Sequence, residues 1–137
     1  MKKTLRIFAL TLVAVMLCLT LASCGGPNAD PDKAVEALKE NDVAWAVKDE
    51  YGVPAALKLA GVDGVDCVVT GTGKIDDKYA HVTIVYFDEA ADAKEAYEKV
   101  EDFAENYKKE AEDSDWVIKK SGKMIYYGTK DAIKAAK

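Results

Sequence analysis

Residues 65–87, VDCVVTGTGKIDDKYAHVTIVYF, hold two β-branched runs, Val65–Thr70 and Ala80–Phe87, separated by Gly71-Thr72-Gly73…Asp77. Such runs, bounded by Gly and Asp, predict a β-hairpin with a glycine-rich loop. Directly after it, Ala93, Tyr97, Val100, Ala104, Tyr107 and Ala111 recur at spacings of four and three. They form one apolar stripe of a helix spanning Glu89–Ala111. Asp88, Glu89 and Asp92 suit the positive end of that helix, and Lys108-Lys109 its negative end. Glu95/Lys99 and Glu105/Lys109 are favourable pairs four residues apart. The stripe lacks the flanking charge logic of a coiled coil, so core packing is its expected use. A hairpin followed by an amphipathic helix makes the domain α+β.

The flanks extend this pattern. Asp30-Pro31-Asp32 is a helix start, with Asp at the cap and Pro at the first helical position, and Ala34, Val35 and Leu38 supply the apolar side up to Asn41. Val43, Trp45 and Val47 alternate with Ala44, Ala46 and Lys48, which predicts a strand; the competing reading is one helix over 31–50. Pro54 to Ala60 is a short helix ended by Gly61. Trp116–Lys120 and Lys123–Tyr127 flank Ser121-Gly122, a two-residue turn pairing Trp116 with Tyr127 and Ile118 with Ile125. Thr129 then caps a last helix with Ala132 and Ile133. The order α-β-α-β-β-α-β-β-α contains a β-α-β-β-α-β centre. That centre resembles the ferredoxin-like split β-α-β sheet, with an extra hairpin strand and N- and C-terminal helices. The connection from Val47 to Val65 has the length of a crossover between parallel neighbours.

The 137 residues suit one domain, and half of them are hydrophobic. Charge is uneven. Residues 1–23 carry Lys2, Lys3 and Arg6 and no acid, so residues 24–137 keep 16 basic groups against 24 acids, a net −8. A domain this acidic does not track phosphate backbones, so nucleic acid is not an expected partner.

Met1–Arg6 is basic, and Ile7–Leu21 is apolar apart from Thr11 and Thr20. About 15 residues of helix cover roughly 22 Å, short of a bilayer's ~30 Å hydrocarbon core, which reads as a secretory signal peptide. Leu21-Ala22-Ser23-Cys24 then resembles the lipobox of bacterial prolipoproteins. Leu17 before Cys18 is too large for the −1 position, which leaves Cys24 as the match. The resemblance covers residues 1–26. It implies diacylglyceryl transfer to the Cys24 thiol, cleavage between Ser23 and Cys24, and a lipid anchor on the extracytoplasmic face of a cell membrane, and it leaves open whether the new amino group is also acylated. Two acyl chains hold stably where one is marginal. The expected organisation is a signal peptide over 1–23, a lipidated Cys24 with a flexible tether over 24–29, and one domain over 30–137. Five extended residues of tether reach at most roughly 17 Å.

Catalytic patterns are missing. Gly71-Thr72-Gly73-Lys74 fails as a phosphate loop, because Ile75 stands where Ser or Thr must hold Mg²⁺ and Val68 where a glycine is needed. His81 is the one histidine, and Ser23, Ser114 and Ser121 have no nucleophile-elbow setting. Too few Cys and His remain for zinc, and the Asp63, Asp66, Asp76-Asp77 and Asp113…Asp115 acids lack calcium-loop spacing. No metal or cofactor is expected. Cys67, alone after processing, reads as a small buried hydrophobe.

One surface stands out. With Val43, Trp45, Val82, Ile84 and Tyr86 against the helices, the other sheet face carries Ala44, Ala46, His81, Thr83, Val85, Val117, Met124 and Tyr126. An open apolar face of this kind binds a ligand or a partner, unless the terminal helices cover it. His81, Thr83, Val85, Met124 and Tyr126 are the candidate binding residues. The expected function is a membrane-anchored lipoprotein that binds a protein or small ligand and is not an enzyme. The alternative is a small enzyme or ligand-binding homodimer on a ferredoxin-like sheet, using His81 or Cys67.

Overall fold

Asp30 opens the first helix as its sequence demands. Its carboxylate accepts the backbone N–H groups of Asp32 and Lys33 at 3.0 and 3.3 Å, with Pro31 at the first helical position. The computed structural model describes residues 26–108 and 115–137. Along them run α1 (Pro31–Glu40), β1 (Trp45–Asp49), α2 (Gly52–Leu59), β2 (Val65–Ile75), β3 (Lys78–Phe87), α3 (Ala90–Lys108), β4 (Trp116–Ser121), β5 (Met124–Thr129) and α4 (Lys130–Ala135). The α+β class and the element order match the expectation. A single helix over 31–50 does not form, because Asp42 turns into the left-handed region at φ 64° and β1 follows. Ala111, the expected end of α3, lies outside the described residues, as do the signal peptide and Cys24.

The five strands are ordered β1-β2-β3-β5-β4, and every ladder is antiparallel. This corrects the ferredoxin-like expectation. A split βαβ unit leaves two parallel strands with a third between them, whereas β1 and β2 are direct antiparallel neighbours, with Val47 opposite Thr70. The reason is length. Eight residues of α2 rise about 12 Å, too little to carry the chain back along the sheet, so α2 acts as a wide turn at one end.

Two hairpins differ from expectation in detail. Gly71-Thr72-Gly73-Lys74 is not a loop but part of β2, and the turn is Asp76-Asp77, at φ 50° and 62°. The glycine at 73 serves close approach instead: a side chain there would meet the Ala44 backbone nitrogen at 2.8 Å. In the β4–β5 hairpin Ser121 pairs with Met124, so the turn is Gly122-Lys123, and Trp116 meets Thr129 and Ile118 meets Tyr127. Gly122 at φ 58° takes the first turn position, which fixes that register.

Helices cover both sheet faces. On one, Leu38 of α1 and Ile133 of α4 pack with Ala46, Cys67, Val69, Val82, Ile84, Met124 and Tyr126. On the other, Ala93, Ala96, Val100 and Ala104 of α3 pack with Val68, Val85, Phe87, Ile125 and Tyr127. Trp45 and Val47 therefore do not join Val82 and Ile84. The pleat turns Ala46 to the terminal-helix side and leaves Trp45 and Val47 exposed on the other.

Candidate functional site

The candidate binding residues divide between the two faces. Val85 opposes Ile125 while Tyr86 opposes Met124 and Ile84 opposes Tyr126. Thr83 and Val85 therefore look toward α2 and α3, and Met124 and Tyr126 toward α1 and α4. The single open face of the sequence reading does not exist, because it paired alternate residues of β3 and β5 out of step. The terminal helices do cover the Met124 and Tyr126 side.

The α2–α3 side is covered only in part. The short α2 packs over β1 and β2, and α3 over β3, β4 and β5. Between them runs a groove of about 530 Å³. Its floor is Val68, Thr83, Val85 and Tyr127. Val53, Ala56 and Leu57 of α2, with Ala60 at its C-cap, form one wall, and Val100, Phe103 and Tyr107 of α3 form the other. Val53, Phe103 and Tyr107 remain exposed along its rim, as do Trp45 and Val47 beside it on β1. Sequence reasoning missed Phe103 and the whole α2 wall. The available signal was a phenylalanine on α3 outside the apolar stripe, where a solvated helix face has no use for one.

Among the described residues Asp49 is the groove's one charged lining residue, and its carboxylate is occupied. Oδ1 accepts the N–H groups of Tyr51 and Gly52, both at 2.8 Å, and Oδ2 that of Val53 at 3.0 Å, which fastens the start of α2. Those bonds hold the carboxyl below its ordinary range. Burial pushes the Tyr127 phenol up, and Thr83 beside it pulls it partly back.

His81 precedes Thr83 by two residues on β3, buried, with its ring nitrogens placed by hydroxyls. Thr72 Oγ1 is 3.2 Å from Nδ1, and Thr83 Oγ1 is 2.9 Å from Nε2. Tyr107 and Trp116 stack near its ring at centroid distances of 5.9 and 6.2 Å. Thr129 is therefore not the side-chain cap of α4 that was expected; its hydroxyl bonds the His81 backbone instead. Cys67 faces the opposite side of the sheet, so a Cys67–His81 dyad is geometrically closed. Its thiol is buried and pushed up to about 12, first by desolvation and then by Asp66. Among the described residues no three His, Cys, Asp or Glu side chains converge as metal ligands.

Met124 and Tyr126 border a second hollow, of about 680 Å³, with Gly26, Pro27, Asn28, Tyr86, Lys123 and Lys137. Residues 26–28 are seated there. Pro27 is buried, Asn28 N–H donates to Ala136 O at 2.8 Å, and the Tyr86 hydroxyl donates to Asn28 O at 2.7 Å. The described part of the expected tether is thus attached to the domain. No family model, curated protein or solved structure matches this chain.

Proposed function

We propose that this chain is a lipid-anchored extracytoplasmic binding protein whose α2–α3 groove takes a small, mainly apolar ligand. The observation that carries the binding part is the groove itself. A recess of about 530 Å³ with an apolar floor and aromatic rim lies within the range of small-molecule sites. Thr83 lies in the floor with its hydroxyl held by His81 Nε2, and Asp49, the one charged residue among the described lining residues, favours a neutral or cationic ligand over an anion. The anchoring part is supported by the basic start, the short apolar run and Leu21-Ala22-Ser23-Cys24. Among the described residues no helix is long and apolar enough to cross a membrane.

Two measurements test the reading. Intact mass of the membrane-extracted chain should correspond to a start at Cys24 with a diacylglyceryl group; an unmodified terminus overturns the anchor. Titration with an apolar fluorescent probe should lose about tenfold in affinity, or ~1.4 kcal/mol, in Ala56→Phe, which fills the groove from an exposed wall position. Unchanged probe affinity in both Ala56→Phe and Phe103→Ala overturns the groove.

A further inference from the structure

We infer that the domain sits on the bilayer in one fixed orientation, with the hollow beside Gly26 and the β4–β5 turn against the lipid headgroups. The inference rests on the reading that Cys24 carries the lipid. The bonds of Asn28 to Ala136 and Tyr86 seat residues 26–28, and Gly26, the first described residue, lies beside the Tyr126 ring. Only two peptide units separate it from Cys24, a reach of at most about 7 Å. A linker that short cannot let the domain turn over; whatever surrounds Gly26 must face the bilayer.

The surroundings suit that contact. Lys123 and Lys137 line the same hollow, and Lys119 and Lys120 are exposed on the hairpin that carries it. Among the described residues Asp66 is the one acid lining the hollow, and Asp30 stands near enough for its charge to act on Tyr86. A local excess of lysine in a domain of net −8 puts its positive end toward anionic headgroups. The acidic Asp76-Asp77 turn lies at the far end of β3, roughly 27 Å away by strand rise. The α2–α3 groove opens on the other sheet face from Gly26, away from the anchor.

The test uses the full lipidated chain on vesicles of phosphatidylglycerol and phosphatidylethanolamine with a headgroup-attached quencher. Cys24 is blocked by its lipid and Cys67 is buried, so a fluorophore can be placed on Ser121→Cys or Asp77→Cys alone. Quenching should be several-fold stronger at position 121 than at 77, and Tyr86→Phe should narrow that difference by loosening the seat. Equal quenching at both positions in chain that sediments with the vesicles overturns the orientation while leaving the anchor intact. Chain that stays in the supernatant overturns the anchor and the orientation together.

Discussion

The Tyr86 hydroxyl and the Asn28 carbonyl meet at 2.7 Å, joining β3 to a segment 58 residues earlier. This bond converts residues 26–28 from a spacer into part of the fold. Tyr86→Phe removes the donor and leaves a half-buried carbonyl that water can reach. The expected loss is about 1 kcal/mol, the net worth of one such bond, read as a lower urea midpoint. Limited proteolysis should also cut earlier before Asp30. A variant as resistant as the parent would show that Pro27 burial alone holds the segment.

Asp49 predicts an acid dependence. Its folded carboxyl lies below the ordinary value through the N–H groups of Tyr51, Val53 and Gly52, while an unfolded Asp titrates near 3.9. The contribution is therefore complete above about pH 4 and fades as the pH drops through the folded value. Asp49→Asn keeps an acceptor but removes the proton linkage. Thermal midpoints between about pH 2 and 5 should fall less steeply in the variant, and parallel curves would remove Asp49 from the account.

Gly73 predicts a packing defect rather than a loop effect. A methyl group there would stand 2.8 Å from the Ala44 nitrogen, so the 43–44 segment must lift from β2. Gly73→Ala should cost about 1–3 kcal/mol as an overpacking change, measured by chemical denaturation. A neutral result would mean that the segment yields freely.

How far the sequence could be read follows from the range of the forces involved. Asp30-Pro31, the Ala80–Phe87 run and the Ala93, Val100 and Ala104 part of the α3 stripe are local signals, and they appear where their caps and periods put them, whereas Tyr107 of the stripe is exposed. Gly71 and Gly73 misled because glycine marks both a loop and a close approach, and only the distant Ala44 distinguishes the two. Strand order and sheet face are nonlocal. A one-residue phase error between β3 and β5 was enough to put Met124 beside Val85, and nothing within either strand reveals it. The groove was illegible for the same reason, since its walls come from two helices separated by the central hairpin. Thr83 and Val85 were found on its floor, whereas Val53, Ala56 and Phe103 gain meaning only once α2 and α3 are placed.

Cys67 predicts the alkaline limb. Burial, and then the charge of Asp66, pushes its thiol up to about 12, whereas an exposed thiol titrates near 8.5. Above about pH 8.5 the unfolded chain sheds this proton first and binds fewer protons than the folded one. Stability is thus fully present below that value and declines as the pH rises toward 12. Tyr86 and Tyr127, also raised by burial, steepen the decline once unfolded phenols ionise near pH 10. With Cys24→Ser as the background, Cys67→Ala should flatten the urea midpoint profile between about pH 8 and 10, whatever its effect at neutral pH. The same burial keeps the thiol from alkylation at pH 8 until denaturant is added. Rapid labelling of the folded chain, or identical alkaline profiles with and without the cysteine, would show that β2 opens far more readily than its place in the core allows.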